Sequence, residues 1–206
     1  MILAVQPLTT EEAARDLVRR CVDGERAAQT QLFRDEVRRV HGLLYRVLGP
    51  TGALEDLIQE TFLHVFRSLP RFRGEAQLST WIGGIALNVA YGHLRSSPPA
   101  PVRLELVPDP RADISEAEQQ VAARQGLRRV YQILDRLEPR LRIAFTLHAI
   151  DGRPLREVAE LMSASLVATK TRVWRARREL DRRARRDPLL RSYLDDTLAD
   201  APGDDR

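Results

Sequence analysis

The chain has 206 residues, of which 43% are hydrophobic and 30% are charged, which is enough for one ordinary domain or two small ones with real cores. Its apolar runs are far shorter than the roughly 20 residues of a membrane span, and the N-terminus lacks the pattern of a secretion signal, so we expect no membrane insertion and a cytoplasmic location. One cysteine, Cys21, and four scattered histidines match no metal-ligand spacing, so we expect no disulfide, metal or cofactor.

The net charge of +4 is unevenly distributed along the chain. Residues 167–186 hold nine basic side chains against two acidic ones, so the rest of the chain is net negative. Clustered cations favour a polyanionic partner, because they release condensed counterions from phosphates. The alternative is a solvated face whose arginines reflect only a codon bias.

The first 95 residues have helical periodicity in four segments. Thr9 or Thr10 caps the first, and Gly and Pro residues follow the ends of the others. Alternation typical of strands appears nowhere over a useful length. We predict an all-helical bundle with helices near 10–22, 27–48, 54–69 and 78–95.

The sequence changes after residue 95, where "SSPPAPVRLELVPDPRAD" holds five prolines. So many prolines do not suit a helix or a central strand. We therefore predict a linker over 96–114 between two small helical domains, at 9–95 and 115–186. The last residues, 187–206, are predicted to form an acidic tail.

The second domain is predicted to contain a helix-turn-helix. Helical periodicity resumes at Ser115, which forms a capping-box pattern with Glu118. The segments "EPRLRIAFTLHAI", "PLREVAELM" and "SLVATKTRVWRARREL" follow, separated by "DGR" and "SAS". A helix, a tight turn and a basic second helix are the layout of this DNA-binding motif.

On a helical wheel, the last helix has a narrow apolar stripe for packing on the preceding helix. The stripe consists of Leu166, Thr169, Val173, Ala176 and Leu180. Arginine can bind a guanine edge in two places, and a Trp ring can lie against a base or sugar. The remaining faces therefore predict contact with DNA, and the candidate residues are Lys170, Thr171, Trp174, Arg175 and Arg178.

The stretch "DLIQETFLHVF" directs polar side chains to one face of the third helix. An acidic and amide-bearing face suits docking to a basic protein surface, although such faces often do nothing but contact water. The following "LPRFRGEAQLSTW" places Arg71 and Arg73 beside Phe72 and Trp81. Cations beside rings suit single-stranded nucleic acid, but both rings, Trp81 above all, are also candidates for the core.

These stretches resemble a known family. "LEDLIQETFLHVFRSLPRFRGEAQLSTWIGGIALNVAYGHLR" resembles region 2 of the sigma-70 family of bacterial RNA polymerase sigma factors. "LDRLEPRLRIAFTLHAIDGRPLREVAELMSASLVATKTRVWRARREL" resembles region 4. With only these two regions and a short linker, the chain is similar to the extracytoplasmic-function (ECF) group.

The resemblance implies a polymerase subunit that binds core RNA polymerase and directs promoter recognition, DNA melting and initiation, without catalysing a reaction. It also implies control by an anti-sigma factor. The implied core-binding residues are Asp56, Gln59, Glu60 and Phe62, the last of which is also a candidate for the interior. The implied −10 DNA contacts are Arg71, Phe72, Arg73, Gly74, Glu75, Gln77 and Asn88. The implied −35 contacts are Lys170, Thr171, Trp174, Arg175 and Arg178.

The chain departs from the family pattern at several positions. Leu87 precedes Asn88 where the family usually has Arg, and Gly92 stands where an acid is frequent. In the second domain, Ser163 stands near the usual Gly, and 167–169 read Val-Ala-Thr in place of Gly-Thr-Val. The promoter sequence is therefore not expected to match that of relatives.

Two other classes of function predict different features. A stand-alone helix-turn-helix regulator would bind duplex DNA tightly without polymerase, usually as a dimer, but would leave "DLIQETF" without a role. An enzyme would need a phosphate-binding glycine loop, a metal cluster or a nucleophile beside a base, and the sequence shows no such pattern.

Overall fold

The computed structural model describes residues 10–96 and 130–184. The N-terminal half contains α1 (Thr10–Val22), α2 (Arg26–Leu48), α3 (Leu54–Ser68), a 3₁₀ turn (Leu69–Arg71) and α4 (Leu78–Ser96). The C-terminal half begins with helical residues 130–134. It continues with α5 (Pro139–Phe145) and its π-helical extension (Thr146–Ile150), α6 (Leu155–Leu161) and α7 (Leu166–Ala184).

The N-terminal half packs α2, α3 and α4 around one apolar core, with α1 against it. Leu32, Leu44, Val65 and Ile82 are at most 1% exposed. Burying a side chain of this size contributes about 1.5–3 kcal/mol each. The core therefore fixes the side of α3 that is left for solvent, because the buried positions recur at helical spacing.

The C-terminal half is a helix-turn-helix packed on the helical residues before it. Its core contains Leu134, Phe145, Ala176 and Leu180, which are all buried. The turn between α6 and α7 passes through Ser163, whose φ is 47°. A non-glycine residue in this left-handed region is strained, and Ser163 stands near the position where the family pattern has glycine.

The two halves contact each other at the C-terminus of α2. A helix leaves its last four carbonyl groups without partners inside the helix. Here the Arg142 side chain donates from Nε to Val47 O (2.8 Å) and from Nη2 to Leu48 O (2.9 Å). The Tyr131 hydroxyl donates to Arg46 O (3.0 Å) and lies 3.2 Å from Tyr45 O. The C-terminal half thus caps this helix.

Arg142 is only 2% exposed, but its buried positive charge is compensated by neighbouring groups. It pairs with Asp135 and lies against the negative end of the α2 dipole. Removing one partner from a buried charge of this kind is strongly destabilising. A second ion pair joins the halves, with 2.6 Å between Arg46 Nε and Asp151 Oδ1.

Two glycines allow the halves to approach closely. Gly49 has φ 79°, and a Cβ there would lie 2.7 Å from the Tyr131 ring. A Cβ on Gly83 would lie 2.8 Å from Leu161 Cδ2 of α6. Ile143, Leu147, Val158 and Leu161 accordingly share the apolar core of the N-terminal half.

The prediction of an all-α fold is confirmed, and no strand occurs within 10–96 or 130–184. The ends of α1 to α4 match the predicted ones within about one residue, whereas α7 continues to Ala184, four residues beyond the predicted segment. The segment 138–150 changes from α to π geometry at Thr146. Phe33 of α2 is 39% exposed, although its spacing groups it with the apolar residues of that helix. The capping box at Ser115, most of the linker and the acidic tail lie outside the described residues.

Candidate nucleic-acid interfaces and docking face

The solvent side of α3 carries a small polar surface, here called the docking face. Asp56, Gln59 and Glu60 are exposed on it, at helical spacing. Glu60 Oε1 lies 3.7 Å from His64 Nε2, and both side chains are about half exposed. An exposed pair of this kind contributes little to stability. The docking face is therefore available for a partner.

Phe62, the fourth predicted core-binding residue, does not lie on the docking face. It is 4% exposed, and its ring centroid lies 4.6 Å from that of Phe33 and 6.2 Å from that of Phe66. A side chain this deep contacts its own domain and not a docked protein. Phe62 therefore holds α3 in place within the domain.

The sequence reasoning missed Leu63, which is 56% exposed on the docking face. It follows Asp56 by seven residues and Gln59 by four, the spacing of one helix face. The signal was present, because an apolar residue at the solvent side of an amphipathic helix breaks the expected pattern. Leu63 gives the docking face an apolar centre within a polar rim, as interfaces have.

The segment after α3 exposes cations beside a ring pair. Arg71 and Arg73 are exposed, and Gly74 turns the chain with φ 73°. The Phe72 and Trp81 ring centroids are 5.1 Å apart, and Trp81 packs against the N-terminal core. Phe72 is half-buried. Trp81 thus packs beneath Phe72, and part of the Phe72 ring remains exposed to solvent.

The remaining predicted −10 residues form two groups. Glu75 and Gln77 are exposed beside Arg73, and Glu75 Oε1 lies 3.9 Å from Arg73 Nη1. Asn88 is exposed about 16 Å further along α4 at 1.5 Å per residue. The structure therefore does not gather Asn88 with the loop.

Asn88 instead lines two clefts. One is a groove of about 500 Å³ between α3 and α4, whose other wall includes Glu60 and His64. The other is a cleft of about 150 Å³ between the halves, shared with Tyr91, Arg140 and Arg172. Asn88 thus lies close to both the docking face and the second half.

Helix α7 is positioned by a buried stripe and a capped start. Thr169, Ala176 and Leu180 are at most 2% exposed, while Leu166 at the start of the predicted stripe is 37% exposed. The stripe packs on α5 and residues 131–137 as well as on α6, a wider contact than the sequence predicted. Ser165 Oγ accepts from Ala168 N at 3.2 Å, a typical N-cap.

The predicted −35 residues all lie on the open sides of α7. Trp174 is 55% exposed, and the Arg178 guanidinium lies 4.8 Å from its ring centroid. Trp174, Arg175 and Arg178 line a groove of about 690 Å³ that also includes Glu138 and Leu141. Thr171 is exposed and donates its hydroxyl to Val167 O, whereas Lys170 is half-buried.

The later arginines of α7 are partly neutralised. Arg182 and Arg183 both pair with Glu179, and these pairs hold the pKa of that carboxyl below its usual range despite the opposing effect of desolvation. Arg185 and Arg186 lie outside the described residues. Within 166–184, five cations precede Glu179 and two follow it, so the positive charge of the described helix is concentrated before Glu179.

Within the described ranges, no helix is both long and apolar enough to cross a membrane, and no three His, Cys, Asp or Glu side chains could share a metal ion. Cys21 is 4% exposed, and burial raises the pKa of its thiol. A buried neutral thiol is chemically inert.

Comparison with known proteins adds two family matches. Residues 32–97 match the model of sigma-70 region 2, and residues 127–180 match that of sigma-70 region 4. RNA polymerase sigma-H factor of Pseudomonas aeruginosa is 29% identical over 89% of this chain and 99% of its own length. The ECF RNA polymerase sigma-E factor of Escherichia coli K12 is 29% identical over 85% of this chain and 95% of its own.

Solved structures share the fold. CnrH, in complex with the cytosolic domain of CnrY, aligns with a TM-score of 0.56 at 23% identity, over 85% of this chain and 99% of CnrH. The sigma factor RpoE from Bartonella quintana, in complex with the anti-sigma factor NepR, aligns with a TM-score of 0.52 at 19% identity, over 77% of this chain and 97% of its own.

Proposed function

Because the chain belongs to the sigma-70 family, in its ECF group, we propose that it is a sigma factor. Each of its separate surfaces is proposed to make a different contact, one with polymerase and the others with promoter DNA. The chain binds core RNA polymerase and directs promoter recognition, melting and transcription initiation. The observation that carries the division is the presence, in one chain, of an acidic docking face on α3 and a cation-rich helix-turn-helix at α7.

The docking face is proposed to bind the polymerase core. Its contacts are Asp56, Gln59 and Glu60, with Leu63 at the centre and Phe62 as internal support. The family binds a coiled coil of the largest polymerase subunit through this helix. Complementary charge speeds such docking and fixes its register.

The loop after α3 is proposed to bind the −10 element as single strand. Arg71 and Arg73 neutralise phosphates, and Phe72 stacks on an unpaired base beside Gly74, Glu75 and Gln77. Asn88 contacts the strand further along α4. Unstacking a base costs a few kcal/mol, so a site that fits the extruded base also contributes specificity.

Helix α7 is proposed to lie in the major groove at the −35 element. Lys170, Thr171, Trp174, Arg175 and Arg178 are its contacts, because the N-terminal part of a recognition helix faces the base edges. We assign these roles to domains at 9–95 and 115–186, joined by the linker at 96–114, with an acidic tail at 187–206. A stand-alone regulator would leave the docking face without a role.

Partners and location follow from the same proposal. CnrH and the Bartonella RpoE were each solved with a partner protein, the latter an anti-sigma factor. We infer that an anti-sigma factor also controls this chain. The chain acts in the cytoplasm, where polymerase is, and supplies recognition and melting without catalysing a reaction itself.

The test is transcription with core polymerase on genomic DNA of the source organism. We expect discrete 5′ ends that core polymerase alone does not produce. Glu60→Lys should weaken binding to core at least about tenfold, because like charges would meet at the interface. Asp23→Lys, a matched charge reversal at the exposed end of α1, should leave binding unchanged. If the wild-type chain neither binds core nor yields specific transcripts, the proposal is wrong.

A further inference from the structure

Val167 is the most exposed large apolar side chain in the described part of the chain, at 74%. It lies in the first turn of α7, the helix that otherwise presents cations. A lone exposed valine needs no explanation on a protein surface. Val167, however, is not alone on its face.

A single stripe runs along the outer side of α7. Val167, Thr171, Trp174 and Arg178 fall within an arc of about 60° at 3.6 residues per turn. Thr169, Ala176 and Leu180 lie on the opposite side and are buried. The stripe therefore lies on the side of α7 opposite its buried residues, and we call these four residues the outer stripe.

The N-terminal half of the outer stripe offers little hydrogen bonding. Val167 has no polar side-chain atom, and the Thr171 hydroxyl donates to Val167 O at 2.9 Å. Trp174 has a single indole donor, and Arg178 lies over its ring. What the first three residues of the stripe, Val167, Thr171 and Trp174, present to a partner is thus largely methyl groups and an indole ring, with the Arg178 cation beyond them.

Cations flank the outer stripe on both sides. Lys170 and Arg177 lie on one side and Arg175 on the other. An apolar line between cations does not suit an apolar protein groove, which would have to desolvate those charges. It suits the major groove of duplex DNA, because Lys170 and Arg177 can meet the phosphates along one edge while Arg175 can reach acceptors on the neighbouring base edges.

The geometry points to Val167 as a specificity-determining residue that packs against the C5-methyl group of a thymine. Thymine presents the one methyl group in the major groove of unmodified DNA, so it is the natural complement of an exposed valine there. The inference rests on the proposed role of α7 as the −35 reader, and it adds a base preference. At this position the family pattern has glycine, which has no side chain to make the contact.

The experiment removes one methyl partner at a time. Holoenzyme first selects upstream sequences from a random duplex pool, and each thymine of the −35 element is then replaced by uracil, which lacks only the methyl group. We compare the wild type with Val167→Ala, which folds because the site is exposed and Ala favours a helix. Val22→Ala removes a 45% exposed valine elsewhere and is the control.

We expect one uracil position to weaken wild-type binding roughly fourfold, the effect of about one buried methyl-sized group. The affinity of Val167→Ala for the thymine duplex should be lower than that of the wild type by a similar factor. Replacing the same thymine by uracil should not lower the affinity of Val167→Ala further. Equal losses on both duplexes, or a selected element without thymine, would overturn the inference. A loss of polymerase binding with unchanged DNA selectivity would assign Val167 to a protein contact instead. Failure of the wild-type holoenzyme to select any sequence would refute the proposed function itself.

Discussion

At the scale of single residues, arginines on α7 differ in what they can reach. Arg175 lines the groove beside Trp174, whereas Arg177 lies on the other side of the helix. We therefore expect Arg175 to read a base edge and Arg177 to contact a phosphate. The two residues are both exposed, so either substitution should leave the fold intact.

Arg175→Ala should weaken recognition of the preferred promoter by ~1–3 kcal/mol and relax specificity at one base pair. Arg177→Ala should weaken binding to all promoter sequences by the same factor and reduce the salt dependence of binding by about one phosphate contact. Competitive transcription from single-base promoter variants measures both effects. Unchanged promoter selectivity in Arg175→Ala would count against a base-reading role.

Tyr131 makes the contact between the halves sensitive to alkaline pH. Burial raises the pKa of Tyr131 from 10 to about 12, because desolvation disfavours the charged phenolate and the nearby Tyr45 adds to the rise. A folded-state pKa above the unfolded one stabilises the fold fully below pH 10, and this contribution is lost as the pH rises from 10 to 12.

In urea unfolding, the difference in the free energy of unfolding between wild type and Tyr131→Phe should shrink by about 1 kcal/mol between pH 9 and pH 11. Tyr91→Phe, on α4, is the matched control and should track the wild type across this range. A difference that stays constant with pH would show that the Tyr131 proton is not held by the fold.

At the scale of elements, the sequence predicted the helices well and their surroundings less well. Gly and Pro residues mark the helix ends, so the bounds of α2 and α4 could be read directly. The caps of α2 could not, because Tyr131 and Arg142 lie about 90 residues away and leave no periodic signal. Phe33 shows a different limit, since a helical wheel assigns apolar residues to the core by default, whereas Leu63 could have been read as an apolar residue on the solvent side of α3.

The turn between α6 and α7 is predicted to carry avoidable strain. Ser163 has φ 47°, a conformation in which a Cβ costs about 1–2 kcal/mol. Replacing Ser163 by glycine removes this cost, but glycine loses more backbone entropy on folding, which offsets about 0.5–1 kcal/mol of the benefit. Ser163→Gly should therefore raise the free energy of unfolding by about 0.5–1 kcal/mol. Ser165→Gly, which removes the α7 N-cap, should lower it by a few tenths. Destabilisation by Ser163→Gly would contradict the strained geometry.

At the scale of the whole molecule, the two halves pack closely together, whereas the two promoter elements that they are proposed to bind lie far apart on DNA. The −10 and −35 elements are roughly 25 base pairs apart, or about 85 Å along B-DNA at 3.4 Å per base pair. Asn88 and Arg172 line one cleft, and α7 is only about 28 Å long. If α4 and α7 bind these two elements as proposed, we therefore expect the contacts made by Arg142, Tyr131 and Asp151 to break on promoter binding.

Spin labels at Asp23→Cys and Glu160→Cys, both exposed and one in each half, report this separation. The buried Cys21 should escape labelling. We expect one short distance in the free chain and an increase of tens of ångströms in the promoter complex with polymerase. An unchanged distance would mean that the halves bind DNA as one body.

Protection of promoter DNA with and without core polymerase distinguishes a polymerase subunit from a stand-alone regulator. We expect the chain with core to protect the −35 element as duplex and to make −10 bases reactive as single strand. The chain alone, at the same concentration and salt, should give neither signal. Equally tight protection of the same site without polymerase would contradict the account and identify a stand-alone DNA-binding regulator.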